Sequence, residues 1–170
     1  MIKPPTVALA LLSLLPLTSV SASEDNNVWL TVGGFSYHSS GDFNQVNPGL
    51  GVELPFNYSE GTTFSVGFYK NSYDRRSNYA AFNTSLVKSD HYSLGLSYGV
   101  VSGYGTWEKK YHYERNKNEY AYEYHDKWKA VVLPTLTLEY DNIGVNVMFI
   151  PKIEAKGTNA LALQFKVKLK

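Results

Sequence analysis

Cysteine is absent from the 170-residue chain, so disulfides, cysteine-ligated zinc and thiol chemistry are excluded together. Charge of one sign is scarce too. With 16 basic and 15 acidic side chains, the protein carries no electrostatic footprint for nucleic acid. Long apolar runs are missing beyond the first 22 residues, which excludes a membrane-spanning helix there, because such a helix needs roughly 20 consecutive apolar positions. Histidine occurs four times. Nothing in the sequence calls for a cofactor or a metal.

The first 22 residues read as an export signal: Lys3, an apolar stretch from Val7 to Leu17, then the small-residue pattern Val20-Ser21-Ala22. Cleavage near Ala22 is expected to leave a single domain, residues 23–170. All 14 Tyr, 8 Phe and 3 Trp lie in that part, in short segments of alternating polarity separated by Gly, Asn, Asp and Ser.

Eight strands are predicted: Asn27–His38, Val46–Asn57, Gly61–Lys70, Asn78–Val87, His91–Ser102, Ala130–Tyr140, Ile143–Ile150 and Thr158–Leu169. In the last, Leu161, Leu163, Phe165, Val167 and Leu169 share one face, with Gln164, Lys166 and Lys168 on the other. Alternation alone suits either a secreted sandwich or lipocalin-like barrel with an apolar interior, or a membrane barrel with its apolar face turned to lipid. The links separate the two. Short ones (Tyr58–Glu60, Lys88–Asp90, Asp141–Asn142) alternate with long ones (Ser39–Gln45, Asn71–Ser77, Gly103–Lys129, Pro151–Gly157). That asymmetry, an even strand number and strands of roughly ten residues predict an all-β fold, an eight-stranded antiparallel up-and-down transmembrane barrel in an outer membrane. Such a barrel is expected to be a monomer and too narrow for a diffusion pore.

Inward parity gathers Gly49, Gly51, Gly67, Gly95 and Gly99 with Ser65, Ser93 and Ser97, which suggests a slot, expected in the long-loop half. Glu53 and Glu139 point inward near the short turns, where a buried carboxylate needs a partner. The third long link, from Trp107 to Trp128, alternates tyrosines with charges around Arg115-Asn116-Lys117-Asn118 and predicts a hairpin extending the flanking strands. Its Lys109, Lys110, Arg115 and Lys117 suit lipopolysaccharide phosphates.

His38 closes the first predicted strand on the long-loop side, where Asn71-Ser72 follows the third. A histidine can take a proton from a hydroxyl, and an amide can orient it or donate to a developing oxyanion.

Further landmarks are Phe35-Ser36-Tyr37-His38, Asn47-Pro48-Gly49-Leu50-Gly51, Phe68-Tyr69-Lys70-Asn71-Ser72-Tyr73, Val132-Leu133-Pro134 and Phe149-Ile150-Pro151, the last two prolines 17 positions apart. In this order they resemble the outer-membrane lipid A palmitoyltransferase family, eight-stranded barrels that move an acyl chain from phospholipid to lipid A. The resemblance implies a catalytic role for His38 and Ser72. Asn71 stands where the family carries Asp, a group that holds geometry without charge. It also implies phospholipid and lipopolysaccharide as partners, with lateral access beside Pro48, Pro134 and Pro151, where proline interrupts the ladder. Two alternatives stand beside it: a lipid A deacylase using the His38-Ser39-Ser40 spacing, and a non-catalytic adhesion barrel working through its Tyr-rich hairpin.

Overall fold

The computed structural model describes residues 27–114, 117–152 and 158–169. The predicted signal and Arg115 lie outside the described residues. Ten strands follow one another: β1 (Val28–His38), β2 (Val46–Pro55), β3 (Thr62–Lys70), β4 (Arg76–Lys88), β5 (Tyr92–Val101), β6 (Thr106–Glu114), β7 (Lys117–His125), β8 (Lys129–Tyr140), β9 (Ile143–Ile150) and β10 (Ala160–Leu169). Eight close into an antiparallel barrel in the order β1-β10-β9-β8-β5-β4-β3-β2, and β6 pairs with β7 alone. The hairpin is therefore its own two-stranded sheet, stepped off the barrel by Ser102–Gly105 and Asp126–Trp128, where the sequence suggested a continuation of the wall. Gly103 takes a φ of 90° at that step, a conformation open to glycine at little cost.

The distribution of polarity is that of a barrel in lipid. Leu50, Phe68, Val132, Leu161 and Phe165 are exposed on the outside, whereas Thr31, Ser65, Ser97, Thr135 and Asn146 are buried inside. A lipocalin-like interior would reverse these assignments. Closure gives every strand of the barrel two neighbours, which matters because each unpaired peptide group in hydrocarbon costs several kcal/mol.

Two departures from a regular ladder shape the long-loop half. Gly33 is an extra residue in β1: Val32 pairs Phe165 and Gly34 pairs Gln164, so parity changes between them. Trp29 and Thr31 point inward before this bulge, and Ser36 points inward after it. The second departure is a parting of the wall. The β8–β9 ladder stops at Thr135↔Met148. Beyond it, Lys129–Pro134 remain paired with β5 on one side, while Phe149 and Ile150 pair with Leu161 and Ala160 on the other.

The lumen is filled in layers. Nearest the short turns, Lys166 Nζ lies 2.9 Å from Glu53 Oε1 and 2.6 Å from Glu139 Oε1, and 4.6 Å over the Trp29 ring. This lysine is the partner that the two inward glutamates required. Above it runs a hydrogen-bonded belt: the Tyr79 hydroxyl meets Thr31 Oγ1 at 3.1 Å and accepts from Gln164 Nε2 at 3.1 Å. Asn146 Nδ2 donates to Gln164 Oε1 and Thr137 Oγ1 donates to Asn146 Oδ1.

The expected slot over the glycines is not open. A Cβ on Gly51 or Gly67 would collide with the Tyr79 hydroxyl, and one on Gly49 would collide with β3 at Phe68 and Tyr69. Cross-strand tyrosines fill what the missing side chains leave. A cavity of about 510 Å³ lies instead at the short-turn end, bounded by Trp29, Glu53, Thr63, Asn83, Thr137 and Glu139. Its walls mix polar and apolar groups around the Glu53–Lys166–Glu139 bridge, and it lies at the opposite end from the lipophilic space anticipated from the small residues.

Candidate functional site at the long-loop rim

The rim is built from the end of β1, the β1–β2 link and the β3–β4 link. The β1 bulge sets the facing of Ser36 and His38. The imidazole of His38 stacks on Phe43, with ring centroids 4.6 Å apart and planes 28° apart. Its Nδ1 is buried without a hydrogen-bond partner. Phe43 in turn meets the edge of Tyr73 at 5.5 Å. Asp42, Phe43, Asn44, Ser72, Tyr73 and Asp74 surround an open hollow of about 540 Å³.

Ser72 faces this hollow, but its hydrogen-bond partner is not His38. The Ser72 hydroxyl lies 3.2 Å from the hydroxyl of Ser36, and its carbonyl accepts the Asn44 N–H at 3.1 Å. Asn71 plays a different part from the one its neighbour suggested. It is fully buried, donating through Nδ2 to Ser77 Oγ at 3.0 Å and to the Gly103 carbonyl at 2.9 Å. Its Oδ1 accepts the N–H groups of Tyr73 and Arg75. With both donors and both lone pairs engaged, the amide has no capacity left to orient His38. It fixes the loop that carries Ser72.

The alternative oxygen, Ser40, is tied to Thr158 through its N–H and its hydroxyl. His91, whose His91-Tyr92-Ser93 run repeats the His-x-Ser spacing, lies at the short-turn end beside Tyr140.

The prolines occupy irregular places. Pro48 sits opposite the β1 bulge, between the Val32↔Leu50 and Gly34↔Asn47 pairs, and the β2–β3 ladder begins only at Gly49↔Tyr69. Asn47 spans that interval by donating Nδ2 to the Lys70 carbonyl at 3.0 Å. Pro134 is where β8 parts from β9, and Pro151 follows the end of β9. Val131, Leu133, Met148 and Ile150 alternate with the outward side chains along the two lips of the opening and give its lumenal side an apolar lining.

The hairpin is locked to the same rim. The Arg75 guanidinium lies over Trp107, at 5.0 Å, and over Tyr124, at 3.7 Å from the ring centroids, which are themselves 5.5 Å apart. Gly103 N donates to Asp126 Oδ1 at 2.7 Å, and Gly105 N donates to the Tyr124 hydroxyl at 2.6 Å. Beneath, the hydroxyls of Tyr69 and Tyr104 meet at 3.0 Å, and burial pushes the Tyr104 hydroxyl well above the usual phenol range. Of the four basic residues assigned to lipopolysaccharide, Lys109 is exposed on β6. Lys110 and Lys117 belong to the β6–β7 ladder by backbone, opposite Ala121 and Glu114, and their side chains lie outside the described residues, as does Arg115.

Sequence reasoning missed Ser36, Arg75 and the Lys166 bridge. Ser36 was hidden by the bulge, since plain alternation groups Trp29 and Thr31 with Phe35 and Tyr37. For Lys166 a signal existed: its polar-face parity on the last strand, at the same end as two inward glutamates.

No protein-family model matches the chain, and no curated protein matches it. Among solved structures it resembles a de novo designed transmembrane β-barrel, with a TM-score of 0.55 and 12% identity over 87% of this chain and 99% of the design. At that identity the likeness speaks for the fold alone: the protein is a transmembrane β-barrel of eight strands.

Proposed function

We propose that this barrel is an outer-membrane enzyme that processes lipid acyl chains, transferring one from a phospholipid to lipid A at the long-loop rim. The parted β8–β9 wall carries this reading. It lies in the half of the barrel that would occupy the outer leaflet, its lumenal lips are apolar, and a lipid chain has no comparable way through a fully laddered wall. A second irregularity at Pro48 adjoins the strand bearing His38.

In this reading His38 is the general base. It takes the proton from an attacking hydroxyl as that oxygen bonds to the ester carbonyl of the donor, and returns it to the departing lysophospholipid oxygen, so that one ester replaces another. Ser72 supplies a hydroxyl at the hollow, as a nucleophile. Asn71 acts through the loop.

The test is the mass spectrum of lipid A from cells with and without the protein. An added acyl mass is expected, and His38→Ala and Ser72→Ala should each reduce it about a hundredfold or more, with the folded barrel still heat-modifiable on gels. Unchanged lipids in the presence of the wild type would refute the reading.

One observation favours a non-catalytic alternative, a surface barrel that binds through its hairpin. Arg75, Asp126 and Tyr124 hold the hairpin base in place, and such rigidity suits a binding element. In that case lipopolysaccharide association through Lys109, Lys110, Arg115 and Lys117 should weaken at moderate salt when the four become Gln, while His38→Ala has no effect.

A further inference from the structure

We infer that Ser36 is a positioning residue for Ser72, setting the direction of its hydroxyl proton and turning its lone pairs toward the rim hollow. The inference takes its purpose from the catalytic reading above, but its geometry stands apart from it. Ser36 is 6% exposed and faces inward only because the Gly33 bulge reverses the pleat of β1. Its oxygen lies 3.2 Å from that of Ser72 and 3.5 Å from the Asn44 carbonyl.

A carbonyl can only accept. In this assignment Ser36 gives its proton to Asn44, and its oxygen is left to receive the proton of Ser72. A hydroxyl whose proton is held on the strand side presents electron density on the other, and the other side of Ser72 is the hollow lined by Asp42, Phe43 and Tyr73. The Ser72 backbone is fixed at the same time, because its carbonyl receives the Asn44 N–H and its neighbour Asn71 is fully engaged. Ser36 thus does at the side-chain level what Asn71 does for the loop. His38, two residues further along the same face of β1, is the group that can take up a proton.

The absence of cysteine permits a direct test, since Ser72→Cys introduces a single thiol. Its alkylation by iodoacetamide is measured against pH in the barrel folded in lipid vesicles, with Ser36 intact, as Ser36→Ala and as Ser36→Thr. With its own proton turned to Asn44, the Ser36 oxygen accepts the S–H proton and disfavours the thiolate. Ser36→Ala should therefore quicken alkylation at neutral pH about fivefold and move the pH midpoint downward, and Ser36→Thr, which keeps the hydroxyl, should restore both. Equal rates and midpoints in the three barrels would overturn the inference, and so would an alanine variant slower than the Ser36 barrel or a threonine variant as fast as alanine.

If Ser36→Ala does not fold, the Ser36→Cys, Ser72→Cys barrel provides the second measurement. Its two thiols should join in a disulfide while oxidised glutathione is reduced, and failure to cross-link would overturn the placement. None of these readouts needs lipid turnover. Unchanged lipid A together with a Ser36-dependent thiol would sink the enzyme and leave the positioning intact, whereas altered lipid A with an indifferent thiol would do the reverse.

Discussion

Replacing Lys166 with methionine removes one charge and nearly preserves the volume, leaving Glu53 and Glu139 facing each other inside the barrel. Lys166 has a side-chain exposure of 2% and Glu53 of 6%, so neither is appreciably hydrated, while Glu139, at 27%, keeps some contact with water. Taking one partner from a buried ion pair costs about 3–5 kcal/mol. The partial hydration of Glu139 places the expected loss at the lower end, and the ammonium–Trp29 contact adds about 1 kcal/mol to it. Equilibrium urea unfolding in lipid vesicles, followed by tryptophan fluorescence, should show a stability loss of about 3–4 kcal/mol with an unchanged denaturant slope. The control is Lys166→Met with Glu53→Gln and Glu139→Gln. A whole buried ion set replaced by neutral groups is often tolerated, so most of the loss should be recovered. A loss below about 1 kcal/mol, the range of solvated surface pairs, would show that water reaches the bridge and refute the reasoning.

Two further outcomes follow from the rim. Asn71→Asp, which the family resemblance would favour, should instead destabilise the β3–β4 link by about 1–3 kcal/mol, because it puts a carboxylate against the Gly103 carbonyl where an amide donated. Protease cleavage near Tyr73 should then accelerate relative to Asn71→Ser, and equal rates would count against this assignment. Arg75→Gln should loosen the hairpin by about 1–2 kcal/mol through loss of the guanidinium's contacts over Trp107 and Tyr124, read as faster amide exchange in β6 and β7 with β1–β5 unchanged.

The barrel was legible because lipid imposes one rule on every strand. Alternation over Leu161–Leu169 and Tyr92–Val100, with short and long links in turn, sufficed to count the strands, and Ile143–Ile150 was placed to the residue. What sequence could not supply was any feature that breaks the period. A bulge of one glycine leaves composition and spacing untouched, yet it decides whether Ser36 meets lipid or lumen. The glycines misled for a related reason: small residues announce room, but the Tyr79 ring that takes it belongs to another strand. Asn71 lies at the rim, as its place after the third strand implied, but one of its four hydrogen bonds reaches Gly103, which lies 32 residues away.

The Gly33 bulge also makes the outer third of β1 sensitive to chain length in a way that no substitution could match. Deleting one residue between Gly34 and Ser36 would exchange the two sides of everything that follows up to the loop. Tyr37, now an exposed ring of the outer wall, would crowd the lumen, and a hydroxyl and an imidazole would face hydrocarbon. The strand would keep its composition and most of its backbone pairs. A family of such barrels could therefore gain or lose its rim chemistry by a single codon without disturbing the scaffold.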